Sequence, residues 1–384
     1  MRIPTLRTRT LLLVPAFVLL CVGCGGPGQA GGVTPSSAPP SSSPPPPPPA
    51  PPPAPPVGAQ DFPTRCAQTG VIKCVGFDSP SDIAGGFGSN SGIFASASNA
   101  SLKPVLDTTV KASGASSLMF TIPSQSSADP GSYFTNFSPD LSVQFGENSV
   151  FYVQWRQRFN SDFLNTLFTN AGGWKQAIVG LGDVAGPGGQ NFLSTSCTAL
   201  ETVTQNTFQR GFAQMYNSCT GSASHSAFFP FEEPFSSPQN TSDFKLQNAR
   251  PYPPGCLLSN HSTVNNNCFG YFPNEWMTFQ VKISTGPFVN GEWQNSVVTL
   301  WIAREGQASQ PVFNFTINLT AADPSPGASF ASGQGPPAGV PLRYGKVWLL
   351  PYDTGKDPTQ VHPTGFVWYD ELIISRNQIA DPSP

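Results

Sequence analysis

From Phe151 to Asn160 the chain alternates with a period of two. Phe151, Val153, Trp155, Gln157 and Phe159 fall on one side; Tyr152, Gln154, Arg156, Arg158 and Asn160 fall on the other. This pattern fits an extended strand with one buried face and not an amphipathic helix. Other runs rich in aromatic and β-branched residues are Ser117–Ile122, Lys175–Leu181, Gly211–Asn217, Trp276–Ser284, Ser296–Arg304, Val312–Leu319, Lys346–Tyr352 and Gly365–Ser375. With Ser149–Asn160 they are the expected strands. Pro and Gly recur too often for helices. Long connections, notably Thr220–Tyr271 and Thr320–Arg343, separate the strands. The expected fold is all-β, a two-sheet antiparallel β-sandwich.

Charged residues are only 11% of the chain, against about 25% in ordinary globular proteins. Ser, Thr, Asn and Gln carry the polarity instead. That excludes a coiled coil and a charge-driven disordered chain. Net charge is −3, and without Arg2, Arg7 and Arg9 the rest holds 16 basic against 22 acidic residues. No Lys/Arg cluster survives, so no nucleic-acid partner is expected. A monomer is expected.

The N-terminal residues read as an address. A cationic start precedes an apolar run, Leu11–Leu20, too short to span a bilayer. Its end, Leu20-Cys21-Val22-Gly23-Cys24, resembles the bacterial lipobox, with Cys21 where Leu is usual and Leu20 one step early. The resemblance implies a signal peptide over 1–23, lipidation of Cys24, and export to the outer membrane or cell surface. Residues 24–60 then form a stalk. From Pro27 to Pro56, 15 of 30 residues are Pro, and nothing from Thr10 to Gln60 is charged. Such a segment extends as polyproline II and reaches on the order of 90 Å at about 3.1 Å per residue. Residues 61–384 are expected to form one domain.

Beyond Cys21 and Cys24 six cysteines remain, Cys66, Cys74, Cys197, Cys219, Cys256 and Cys268. They allow 15 connectivities. Sequential pairing, Cys66–Cys74, Cys197–Cys219 and Cys256–Cys268, is the simplest. The C-x₂₋₄-C spacing of a zinc site is absent from these six.

The chain ends Gly365-Phe-Val-Trp-Tyr-Asp370-Glu-Leu-Ile-Ile-Ser375, and the domain begins Cys74-Val-Gly-Phe77-Asp78. Between them lie Phe151–Phe159 and Asn274-Glu-Trp-Met-Thr-Phe-Gln-Val-Lys282. This order resembles the concanavalin A-like lectin/glucanase jelly roll, and within it the bacterial polysaccharide lyases that cleave alginate and glucuronan. The resemblance implies a polysaccharide partner and β-elimination at a uronate. It also implies a structural Ca²⁺ where the first and last strands meet, at Asp78 and Asp370; the alternative is that both cap backbone. Such lyases carry Arg-x-Glu-x-Arg on a strand, which Gln154-x-Arg156-x-Arg158 matches in part.

Elimination needs a cation for the carboxylate, a base for the C5 proton and an acid for the leaving oxygen. Arg156 and Arg158 suit the first role, since Arg binds carboxylates bidentately; the alternative is a solvated outer face. Tyr216, His225 and Lys175, the last in Gly172-Gly-Trp-Lys175, are the acid/base candidates. Of Trp174, Trp276, Trp301, Trp348 and Trp368, one or two are expected to meet a sugar ring. Asp370 and Glu371, being adjacent, are expected on opposite faces, which excludes them as a paired-carboxylate hydrolase centre. H-E-x-x-H, P-loop, Rossmann and G-x-S-x-G motifs do not occur. The competing reading is a noncatalytic carbohydrate-binding or envelope-structural lipoprotein. The anchor is testable by fractionation. Cys24→Ala is expected to release the protein from membranes or leave an unprocessed precursor; membrane retention with normal processing would refute lipidation.

Overall fold

In a computed structural model the described residues are 58–85, 91–96, 99–166, 168–169, 173–182, 200–207, 213–217, 271–321, 341–353 and 356–383. They form two antiparallel sheets and two one-turn helices, α1 (Phe62–Cys66) and α2 (Ser161–Asn165). The larger sheet is ordered β11 (Phe288–Val289), β12 (Glu292–Ala303), β10 (Met277–Ser284), β6 (Val150–Phe159), β15 (Gly365–Ser375), β4 (Ser117–Ile122) and β3 (Val105–Asp107). β1 (Val71–Val75) adds to β15 and β13 (Gln310–Thr320) adds to β12, making nine strands. The six-stranded sheet runs β2 (Ser91–Phe94), β5 (Ser132–Asn136), β14 (Tyr344–Leu349), β7 (Gly173–Leu181), β8 (Glu201–Thr207) and β9 (Ala213–Asn217).

The sheets pack face to face. Phe151 of β6 meets Tyr344 of β14 at 5.5 Å between ring centroids, and Phe137 after β5 at 5.4 Å. The architecture is therefore the two-sheet antiparallel sandwich expected above. The inward set on β6 is as the alternation requires: Phe151, Val153, Trp155, Gln157 and Phe159 are all buried. Gln157 is the polar member. Its Oε1 accepts from Gln176 Nε2 on β7 at 2.7 Å and from Trp155 Nε1 at 3.2 Å. Gln176 Oε1 accepts from the Tyr271 hydroxyl at 2.7 Å, and the Gln176 carbonyl accepts from the Tyr369 hydroxyl of β15 at 2.9 Å. This network joins the two sheets, and its directional bonds favour one alignment over a slipped one.

The expected strands appear with small shifts at their ends. β1, β2, β3, β5, β8 and β11 were not expected. β8, Glu-Thr-Val-Thr-Gln-Asn-Thr, carries Val203 as its only apolar side chain, so the periodicity gives it no signal. Its place comes from pairing with β7 and β9.

β15 organises the larger sheet. Residues 365–369 pair with β4, and 372–375 pair with β1. The exchange takes place at a bulge across Asp370 and Glu371, where Glu371 has φ 51°. The bulge overturns the expectation that these neighbours face opposite ways. Asp370 stands in register with Arg156, and Glu371 Oε2 lies 4.0 Å from an Arg156 terminal nitrogen. A bulge places two residues of one strand opposite one of its partner, which breaks the alternation.

Cys66, at the end of α1, is disulfide-bonded to Cys74 of β1, as expected. Cys197, Cys219, Cys256 and Cys268 lie outside the described residues, as do Cys24 and the stalk to residue 57. The turn before β4 depends on Gly114. Its φ is +61°, and a Cβ there would strike the Asp78 carboxylate. Gly114→Ala is expected to destabilise the domain by about 1–3 kcal/mol, read from the urea midpoint. An unchanged midpoint would show that the turn relaxes freely.

Candidate functional site

The residues singled out from the sequence divide between two different surfaces. Gln154, Arg156 and Arg158 share the outer face of the nine-stranded sheet, but that face is covered where they stand. Gln154 is fully buried. Its Oε1 accepts from Arg65 Nη1 at 2.5 Å, and its Nε2 donates to the Ala380 carbonyl at 3.1 Å. Gln280, on the neighbouring strand, holds Ile379 by both its amide atoms. The N-terminal helix and the C-terminal segment thus lie across this face. The two ends also pair with each other, through Gln60 N to the Asp381 carbonyl at 2.9 Å and Ser383 N to the Gln60 carbonyl at 2.8 Å.

Under that cover sits a charge cluster. Arg65 is fully buried and ion-paired with Glu371. Burial lowers the Arg65 pKa, and the Glu371 charge opposes the shift. Arg156 lies 3.4 Å from Glu305 and 5.9 Å above the Trp276 ring. Its Nε has no partner. Arg158 is half-buried, in register with Trp368 of β15, and its Nε is likewise without a partner. The stripe expected to bind a uronate is therefore committed, at Gln154 to holding the chain ends and at Arg156 to the carboxylates of Glu305 and Glu371.

Asp78 and Asp370 grip one turn from its two sides. Asp370 Oδ2 accepts from Ala112 N at 2.8 Å and Ser113 N at 3.3 Å. Asp78 Oδ1 accepts from Ala115 N and from Ser116 N. Burial raises the Asp370 pKa to about 8, against the pull of those backbone donors. Backbone donors occupy Asp78 Oδ1 and both Asp370 oxygens, and no group of three metal-ligating side chains occurs among the described residues. The donor set fits backbone capping, the alternative named above, and does not fit a cation of six to eight oxygen ligands.

Lys175 and Tyr216 belong to the other sheet. A bulge in β14 between Tyr344 and Lys346 turns Tyr344 inward and Lys346 and Trp348 outward. Along the outer face two rows of register partners cross the sheet. One runs Asn136, Lys346, Gly180, Glu201; the next runs Phe134, Trp348, Ile178, Val203, Tyr216. Lys175 pairs with Gln205, two residues along β8 from Val203. Strand spacing puts the backbones of Lys175 and Tyr216 about 12 Å apart on this face.

The lysines here are desolvated. Lys346 is 1% exposed, and burial lowers its pKa to about 7. Its ammonium lies 5.7 Å from the Phe134 ring centroid. Lys175 is 6% exposed, with its nitrogen 4.8 Å from the Tyr352 ring centroid. Burial lowers its pKa too, while the charges of Glu201 and Asp353 oppose the shift. Sequence reasoning missed Lys346 as a site residue. The signal was the pair Lys346 and Trp348, two apart in one expected strand.

Known structures with related architecture have low identity. Similarity is found to the marine PL-14 alginate lyase from Aplysia kurodai, at 12% identity and TM-score 0.42, covering 79% of this chain and 98% of that one. It is also found to the Chlorella virus alginate lyase vAL-1, at 11% identity and TM-score 0.40, covering 80% and 100%. The binding domain of botulinum neurotoxin serotype D is similar at 9% identity and TM-score 0.33, covering 81% of this chain and 48% of that one. No family model and no curated protein matches the chain.

The other candidates are placed as follows. His225 lies outside the described residues. Trp174, Trp276, Trp348 and Trp368 are each at most 7% exposed, while Trp301 is half-buried on the outer face of the larger sheet, 6.5 Å from the Tyr152 ring. Lys346 makes a pH prediction. Between about 7 and its ordinary value of 10.5, the unfolded chain holds a proton here that the folded chain lacks. Stability therefore rises with pH across that window, and the full cost of burying the amine is felt below it. Lys346→Met is expected to raise the urea midpoint most near pH 6, with the gain shrinking toward pH 10. A gain independent of pH would refute the lowered pKa.

Proposed function

We propose that this chain is a surface-anchored, glycan-active protein that cleaves uronate-containing polysaccharide by β-elimination. Its working face is the outer side of the six-stranded sheet. The observation that carries this reading is the pair of desolvated lysines on that face, with the backbone position of Tyr216 in the adjoining row.

The roles follow from the environments. Lys346, with a pKa of about 7, is divided between amine and ammonium at neutral pH, which suits a general base. Burial lowers the Lys175 pKa against the pull of Glu201 and Asp353; in its ammonium form it is the cation nearest Lys346 on this face to meet the substrate carboxylate. The Lys346 amine takes the C5 proton. The electron pair forms the C4–C5 double bond as the C4–O bond breaks, and Tyr216 protonates the departing oxygen. The Lys346 ammonium then returns its proton to the phenolate through solvent. Both lysines are nearly sealed from solvent, so the reading requires this face to open when a glycan enters. The lipid anchor and proline stalk would hold the domain off the envelope, within reach of extracellular polymer.

Alginate, glucuronan and glycosaminoglycans, followed at the unsaturated-uronate absorbance band, test the reading. A rise is expected with at least one of them. Lys346→Met, which is expected to fold more stably than wild type, should lower the rate by about 10²–10⁴-fold, the usual worth of a general base. No rise on any acidic polymer, with binding retained on a glycan array, would replace this reading with the noncatalytic one.

A further inference from the structure

The outer face of the larger sheet is covered at Gln154 and Gln280, where Ala380 and Ile379 cross it. The next row on that face is more open. Tyr152, Lys282, Thr299 and Asn314 stand in register there across β6, β10, β12 and β13. Tyr152 and Lys282 are half-buried and Asn314 is exposed. Trp301, in register with Gln280, borders this row. The backbones of β6 and β12 are about 9.5 Å apart, two strand spacings. The Tyr152 and Trp301 ring centroids are only 6.5 Å apart, with 31° between the planes. The two rings therefore lean toward each other across β10.

The polar atoms of this patch are open and unused. Among the described residues, Tyr152 Oη, Trp301 Nε1 and Lys282 Nζ make no hydrogen bond or ion pair, and none of the three is sealed from solvent. Asn314 Oδ1 accepts from Thr299 Oγ1 at 2.9 Å, which leaves the amide nitrogen to donate elsewhere. Burial raises the Tyr152 pKa, so the hydroxyl stays protonated.

This set of atoms selects its ligand. The indole N–H and the ammonium only donate, and the Tyr152 hydroxyl and Asn314 amide nitrogen add further donors. Such a patch wants a ligand rich in acceptors, and an ionised carboxylate only accepts. Lys282 supplies the opposite charge. No Asp or Glu stands among the register partners of Tyr152, Lys282 or Trp301 to compete for it. The two ring faces offer apolar area for the C–H faces of sugar rings. A second copy of the chain fits less well, because protein interfaces deplete Lys at their core.

We propose that Tyr152, Trp301, Lys282 and Asn314 form a noncatalytic site for acidic glycan. The two rings stack on sugar rings, and Lys282 pairs with a carboxylate. The sheets pack face to face, so this site lies on the opposite side of the sandwich from Lys346 and Lys175. It would tether a polymer chain without cleaving it. The choice of a uronate among anions rests on the function proposed above; the binding itself needs no elimination.

Full-length protein labelled with 5-fluorotryptophan gives a ¹⁹F resonance for each of its seven Trp residues, and Trp301→Phe assigns that of Trp301. The protein is titrated with oligosaccharides of alginate and of glucuronan, and with neutral cello-oligosaccharides. The Trp301 resonance is expected to shift saturably with at least one acidic ligand. The neutral ligands should bind about tenfold more weakly or worse. Lys282→Gln and Tyr152→Ala should each weaken the acidic ligand by about tenfold, the worth of one charged hydrogen bond or one ring contact. The remaining Trp resonances report that these variants stay folded. The shift should persist in Lys346→Met, so this site and the elimination chemistry can fail separately. The proposal is overturned if no acidic oligosaccharide moves the Trp301 resonance, if the neutral ones bind as well, or if Lys282→Gln binds like wild type. It is also overturned if the shift is lost in Lys346→Met, or if the resonance moves with protein concentration instead of sugar, which would make the patch an interface between copies.

Discussion

The ion pair between Arg65 and Glu371 joins the parts of the sandwich that are furthest apart in sequence. It sits where β15 bulges and changes partner from β4 to β1. A charge buried at such a point is expensive unless paired and hydrogen-bonded. Here each member of the cluster has a counterpart. Arg65 reaches Glu371, Gln154 and the Gln60 carbonyl, and Asp370 takes the backbone of the turn at 112–113. Losing one partner would strand the others in a dry site, which costs more than the pair contributes. The disulfide at Cys66 fixes the helix that carries Arg65.

This arrangement explains why the two sheets have different uses. The outer face of the larger sheet carries arginines, which stay protonated however deeply they are buried and so suit permanent ion pairs. The outer face of the smaller sheet carries lysines, whose protonation yields to desolvation. The arginines of the first face keep their charge, and Lys346 lets the second exchange a proton near neutral pH. Bulges set both outcomes. The one at Asp370 and Glu371 gathers two carboxylates onto one side, and the one beside Tyr344 turns Lys346 outward and Tyr344 into the core.

The start of β15 shares the same rigidity. α2 packs against the start of β15, where a Cβ at Gly365 would press on Phe163. The segment before β15 is held in place by Ser124 and Gln125.

Much of the fold is legible in the sequence because a half-buried strand must alternate. Phe151–Asn160 shows its inward face residue by residue, and β4 and β15 end where their apolar runs end. The pairing of Cys66 with Cys74 follows from their closeness in the chain. Local pattern could not distinguish an outer face open to solvent from one lying beneath the chain's own ends. Gln154, Arg156 and Arg158 read as a polar stripe in either case. Only the return of Ile379 and Ala380 across that face, with Ala380 226 residues beyond Gln154, decides that Gln154 is buried. The same holds for Lys346. Its strand was visible, but its lowered pKa comes from burial among neighbours brought there by pairing of distant strands. Alternation is a property of adjacent residues, whereas desolvation depends on everything that packs around a group. The sequence alone therefore determined that this is a sandwich and which side chains share a face where a strand runs unbroken, and the tertiary structure decided where bulges break that alternation and which faces are buried, paired or able to change their charge.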